Sequence, residues 1–260
     1  MEANIIDIKI FPMILCYFFS GFLITLYYLL KLEILYDFLV SLSRMTIQLV
    51  IAGFLLRYIF EINNITLVVL IFIIMSFFAS YIILNKSTVK SREFIIYIII
   101  SLSFVGLTIN YFFLTFIVGI KPWYDAVYFI PVAGMILGNT MSSSALLLER
   151  FFNDFNDNKK QIETYLTFGA TPLEALRPSF NKSMMVAVLP TLTSMSGMGL
   201  VFLPGMMTGQ ILSGIDPLIS IKYQIAIMLA IISSITFTSI LLLTFVYRLK
   251  VGKGHRIIID

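Results

Sequence analysis

The chain has 260 residues, 59% of them hydrophobic and only 12% charged, where soluble domains run at about 45–50% apolar and about 25% charged. So little charge excludes a water-soluble enzyme, and a net charge of +4 spread over such a chain points to a lipid bilayer as partner and not to nucleic acid. One cysteine, Cys16, and one histidine, His255, exclude an intrachain disulfide and argue against a Cys/His metal cage.

Charge-free apolar runs locate the predicted elements, and these are helices because hydrocarbon offers backbone groups no partner outside their own segment. Met1 to Asp7 holds no basic residue, and the run after it is too long for a signal peptide. Phe11 to Leu30 is therefore a true first span. The second, Leu42 to Phe60, has Arg44 at one end and Arg57 near the other. Glu61 falls on the same helical face as Arg57, as an interfacial pair. Ile65 to Leu84, Phe94 to Ile120 and Ala126 to Leu148 are the third to fifth spans.

A sixth run, Ser183 to Ile215, has 33 residues without a charge but is broken by Pro190, Gly197, Gly199, Pro204, Gly205, Gly209 and Gly214. Irregular backbone at membrane depth needs cover from protein or a water-filled cavity. The run reads as a kinked span to about Leu203, then a re-entrant or interfacial piece up to Asp216-Pro217. Tyr223 to Tyr247 is the seventh span. The fold class is an all-α integral membrane protein of about seven transmembrane helices, one domain over residues 1–260. With the N-terminus outside and the C-terminus inside, fourteen of the eighteen basic residues fall on the cytoplasmic side, including a tail over 248–260 with Arg248, Lys250, Lys253 and Arg256.

The only sizeable hydrophilic segment is the predicted cytoplasmic loop 149–182. Asn153 to Lys160 are polar turn formers. Ile162, Tyr165, Leu166 and Phe168 then give a short amphipathic helix with Gly169 as its stop. Thr171, Pro172 and Glu174 spell a helix start, as N-cap, first position and capping-box partner. Pro178 ends or kinks that second helix. The loop is either a docking element for a soluble partner or a segment lying on lipid headgroups.

Polar groups inside spans are expensive and therefore informative. Gln48, Asn139 and Gln210 are candidates for a translocation path, since amides offer oxygen to a passing cation. Met135, Met206 and Met207 join them as thioether candidates among thirteen methionines. Packing accounts for either set equally well, amides as helix–helix glue and methionine as flexible filler. Asn110, Thr140, Thr191, Thr193, Ser194 and Ser196 read as such glue. Asp216 either attracts cations at the outer mouth or shapes the Asp-Pro turn. No Asp or Glu lies mid-span, which weighs against an ion-coupled carrier. No His/Asp or Ser/Lys arrangement suggests an intramembrane enzyme. The chain also lacks a Gly-rich loop ending in Gly-Lys-Ser/Thr, so it carries no ATPase motor of its own.

Glu163 to Gly169, followed by Ala170-Thr171-Pro172, resembles the coupling loop of ABC transporter permeases, whose pattern is Glu-Ala-Ala, three residues, Gly. Thr164 and Tyr165 replace the two alanines, and the Leu-Pro of many importers occurs later than their spacing, as Leu189-Pro190. Four further stretches, Ile130 to Asn139, Phe168 to Pro172, Leu203 to Met207, and Gly214 to Pro217 with Ile221 to Gln224, follow the order and spacing of the FetB (YbbM) family. That family comprises bacterial permeases associated with iron export, with relatives among plant aluminium-tolerance transporters, and the resemblance covers most of the chain from Arg44 onward. It implies a multi-pass permease of a bacterial-type inner membrane that exports an iron-like metal ion. Glu163, Gly169, Ala170, Thr171, Pro172 and Glu174 would couple it to a separate ATPase. ATP and Mg would sit on that partner, with no cofactor on this chain and a dimer of each subunit. The alternative is an ATP-independent channel or ion-coupled carrier for a cation, with the loop serving as a surface anchor.

Overall fold

The computed structural model describes residues 8–86 and 92–250. The basic residues expected at Lys90, Lys253 and Arg256, like Met1 to Asp7 and His255, lie outside the described residues. The described chain is helical in the order α1 (Ile10–Leu29), α2 (Ile34–Ile62), α3 (Ile65–Lys86), α4 (Arg92–Phe112) with a π-helical turn Phe113–Val118, α5 (Ala126–Asp157), α6 (Lys159–Thr167), α7 (Pro172–Gly197), α8 (Gly205–Leu212) and α9 (Pro217–Lys250). Among the described residues six helices, α1 to α5 and α9, are long and apolar enough to cross a membrane. At 26 residues α7 is about 39 Å long, but Glu174, Arg177 and Lys182 occupy its first half. By composition it is not one of the six.

The centre of the bundle is α5, packed against α3, α4, α7 and α9. Phe129, Ala133, Ile136, Thr140, Ser144, Leu147, Phe151 and Phe155 are all buried and recur at spacings of three and four, the stripe a helix buries on one side. Lipid is as apolar as leucine, so this stripe is held by close packing and interhelical hydrogen bonds more than by expulsion of water. Small residues permit the approach. A Cβ added at Gly106 of α4 would stand 2.9 Å from Leu137 Cδ2 on α5. Polar glue completes it: Thr140 Oγ1 donates to Ser234 Oγ on α9 at 3.0 Å, and Asn110 Nδ2 donates to the Phe129 carbonyl at 3.3 Å. The glue reading of Asn110 and Thr140 holds.

The α1–α2 hairpin stands apart from this core. Among the residues described α1 buries none, and it meets α2 through a Tyr17–Thr46 hydroxyl bond of 2.7 Å and an edge-on Tyr27–Phe38 ring pair. The far end of α2 is tied in by Asn63, in the left-handed conformation (φ 42°), whose Oδ1 accepts from the Ala126 amide at 2.9 Å. Arg57 and Glu61 do pair along α2, at 3.7 Å with both side chains exposed.

Several predicted boundaries move. The second helix begins at Ile34, not Leu42, so Arg44 lies well inside it and not at its end. The fifth helix runs through Leu148 to Asp157. Asn153 to Lys160, expected as turn formers, are helical apart from the single joint at Asn158. Asn153, Asn156 and Asp157 are exposed and Asn158 donates to the Asp154 carbonyl one turn back, while Phe151, Phe152, Asp154 and Phe155 are buried. Neither Pro178 nor Pro190 ends α7, and both lie inside it. The helix stops at Gly197, short of the expected Leu203. There Gly199 turns left-handed (φ 83°) and its amide bonds the Phe202 carbonyl at 3.0 Å. The stretch expected as a re-entrant or interfacial piece holds the short helix α8, after which α9 starts at Pro217, ahead of Tyr223. Asp216 Oδ1 accepts from the Leu218 amide at 2.7 Å, the turn-shaping role.

Candidate functional site

Two features stand out, a helix–turn–helix outside the membrane segments and a pair of cavities between α5, α7, α8 and α9. In the first, α6 closes with two backbone bonds, Ala170 N–H to the Tyr165 carbonyl and Gly169 N–H to the Leu166 carbonyl, each 3.0 Å. Around a left-handed Gly169 (φ 89°) this is a Schellman stop. One residue later α7 begins with the predicted capping box. The Glu174 amide donates to Thr171 Oγ1 at 3.3 Å, and Glu174 Oε2 accepts from the Thr171 amide at 2.8 Å, with Pro172 in the first turn. The hydrogen bond from the Thr171 backbone holds the Glu174 carboxyl below the usual carboxylate range, helped by the Thr171 hydroxyl. Two complementary stops, back to back, leave the Gly169–Ala170 link little freedom.

Ile162 on one side and Pro172, Ala175 and Leu176 on the other are buried, so the pair is anchored to the bundle. Phe168 is not: it is 85% exposed at the tip, with Leu173 and Tyr165 also exposed beside it. The amphipathic helix foreseen from Ile162, Tyr165, Leu166 and Phe168 thus divides, with Ile162 and Leu166 packed inward and the two aromatics outward. Glu163 is exposed on α6.

Sequence reasoning missed the joint beneath this turn. Asp154 of α5 is 95% buried by its 5% relative exposure and accepts from Ser179 Oγ at 2.6 Å and from Lys182 Nζ at 2.9 Å, both on α7. Arg150 approaches it at 3.6 Å. The ring of Phe180 lies 5.4 Å from that of Phe151. An acid flanked by Phe151 and Phe155, on the stripe that α5 buries, was the available signal.

Within the membrane segments, Asn139, Ser142, Ser143, Thr191, Ser194 and Met228 line a cavity of about 120 Å³. Asn139 is one of the foreseen path residues, and its Nδ2 donates to the Met135 carbonyl one turn back at 2.8 Å. Thr193 and Ser196 bond the carbonyls of their own helix instead. A second cavity of about 440 Å³ is lined by Met195, Met198, Met207, Gln224 and Met228, among others. Met228 belongs to both. Of the other candidates, Met135 and Met206 are half-buried against the core, and Gln210 is half-buried with an Oε1 that has no hydrogen-bond partner among the described residues. Gln48 is exposed on α2, whose principal packing partner is α1, so it is not brought to either cavity. Gln224 was passed over as a path residue because it stands at the edge of its apolar run, beside Tyr223.

The family described as "Uncharacterised protein family (UPF0014)" matches residues 10–250. The UPF0014 membrane protein slr1647 of Synechocystis is 34% identical over 220 residues, 84% of each chain. The probable iron export permease protein FetB of Escherichia coli is 32% identical over 229 residues, covering 88% of this chain and 87% of its own. The protein ALUMINUM SENSITIVE 3 of Arabidopsis thaliana is 30% identical over 204 residues, 78% of this chain and 73% of its own. No solved structure gives a significant match. A multi-helix membrane chain matched over nearly its whole described length, with relatives that include a named permease, belongs to the UPF0014 family of membrane proteins.

Proposed function

We propose that the chain is the membrane-spanning permease subunit of an ABC transporter, and that it exports a metal ion with energy supplied by a separate ATPase docked on α6 and the start of α7. The observation that carries this reading is the capped helix–turn–helix with Phe168 at its tip. An aromatic ring left 85% exposed in a water-facing turn suits insertion into a partner's pocket, and lipid anchoring alone gives no reason for two helix caps to stiffen the turn. Metal export is suggested by the name of the Escherichia coli relative, a probable iron export permease. In this reading ATP and Mg bind the partner, the loop faces the cytoplasm, and two permease copies serve two ATPase subunits.

Efflux from cells that depend on this chain tests the reading. Phe168→Asp and Gly169→Val are expected to reach the membrane in normal amount yet lose most metal efflux. No atom lies within 4 Å of a Cβ built at Gly169, so the first carbon of a side chain has room there, and β-branched valine brings chiefly the left-handed strain of about 1–2 kcal/mol to the turn. Gly169→Asn, which tolerates that conformation, is expected to retain efflux. Unimpaired efflux in both Phe168→Asp and Gly169→Val contradicts docking at this turn.

A further inference from the structure

The methionine-lined cavity between α7, α8 and α9 has a composition that packing does not explain. Ten side chains or backbones line it, four of them methionines from α7, the turn after it, α8 and α9. With 13 methionines in 260 residues, ten random lining positions would hold less than one on average. Methionine used as filler closes gaps, yet here four of them line an open groove of about 440 Å³. A fifth lining residue, Gln224, is 6% exposed, and its buried Oε1 has no hydrogen-bond partner among the described residues. A buried amide oxygen without a donor is a lone pair waiting for an electrophile.

The ligand's chemistry follows from what the wall offers and what it lacks. Thioethers are soft, neutral donors and select Cu(I)-like ions over harder ones. The lining carries no acidic side chain, and among the described residues no three His, Cys, Asp or Glu gather to hold a metal. A neutral donor set in a low-dielectric site can offset the desolvation of one charge far better than that of two, because the Born term rises as the square of the charge. A divalent Fe(II) or Zn(II) ion is thereby disfavoured twice, by hardness and by charge.

We propose that this cavity binds a soft monovalent cation of the Cu(I) or Ag(I) class, held by the sulfurs of Met195, Met198, Met207 and Met228 with the Gln224 Oε1 as an oxygen donor. Met228 also lines the smaller polar cavity, so an ion released from the sulfurs would pass directly to Asn139, Thr191 and Ser194. The site assigns a cargo class other than the iron in the name of the Escherichia coli relative, and rests on the permease reading only for transport, since binding needs no ATPase.

The test uses the full chain, purified and placed in lipid nanodiscs, with silver nitrate as a redox-inert probe in chloride-free buffer. Equilibrium dialysis is expected to show saturable, near-stoichiometric Ag(I) that excess Zn(II), a divalent competitor that does not reduce silver, fails to displace, and X-ray absorption is expected to show a first shell of sulfur. The M207L/M228L pair, close to volume-conserving, is expected to weaken binding by at least about tenfold, while Met13→Leu, on exposed α1, leaves it unchanged. Absence of saturable Ag(I), a shell of oxygen or nitrogen alone, or displacement by Zn(II) overturns the proposal whatever the variants do. So does undiminished affinity in the double variant. Silver binding by a chain that recruits no ATPase would keep this site and remove the permease reading; the reverse pattern would remove only the site.

Discussion

Glu174 makes a local contribution whose pH dependence can be worked out. Its folded-state pKa is depressed by the Thr171 amide, so its contribution is complete above the ordinary glutamate range and is lost as pH falls through the depressed value. Coupling is therefore expected to persist unchanged from neutral pH to about pH 5. Glu174→Gln, which preserves the capping-box acceptor, should keep efflux, and Glu174→Ala should reduce it at constant membrane level. Equal efflux in the two variants would show that the cap does not matter to the turn. Asp154 matters differently because it is buried. Asp154→Ala leaves Ser179 without its acceptor and Lys182 without its nearest anion, although half-exposed Lys182 can turn to solvent. The expected loss is about 2 kcal/mol, read as a lower melting temperature of the purified chain.

At the scale of elements, what matters is that the turn leads directly into α7, which runs on to the polar cavity. α7 is one helix from the capping box to Gly197, past Pro190 at the polar cavity. A push at Phe168 can thus reach the cavity wall through a single rod, with Asp154 fastening that rod to α5. On α5, α4 also packs closely. Gly106→Leu forces four carbons into a space where a single Cβ already meets Leu137 Cδ2 at 2.9 Å, and is expected to destabilise the fold by about 1–3 kcal/mol. Alanine should be milder, because the atom it meets is the tip of a flexible side chain. A melting temperature for Gly106→Leu equal to that of the unaltered chain would remove close packing of α4 on α5 as a source of stability.

At the scale of the molecule, hydropathy made the membrane helices legible but not their ends. Lipid depth decides which residues are apolar, whereas backbone hydrogen bonding decides where a helix stops, so α2 and α5 extend beyond their apolar runs while α7 starts before its run and stops inside it. The Gly169 stop and the Thr171–Glu174 cap were readable because their chemistry lies within three or four residues along the chain. The Asp154–Ser179–Lys182 joint and the methionine cavity were not, since each assembles residues from separate helices whose packing no local pattern encodes. The place of Gln48, exposed on α2, was illegible for the same reason. Its amide was noticed, but nothing in its neighbours told that α2 packs mainly with α1.

The central claim is that the turn at Phe168 recruits a soluble ATPase. Gentle detergent extraction from the native membrane, capture of this chain and mass spectrometry of what accompanies it test that most directly. The account predicts a stoichiometric soluble partner bearing a phosphate-binding Gly-rich loop, present with the unaltered chain and lost with Phe168→Asp. Recovery of the chain without such a partner, together with metal transport by the chain alone in liposomes lacking ATP, would contradict it.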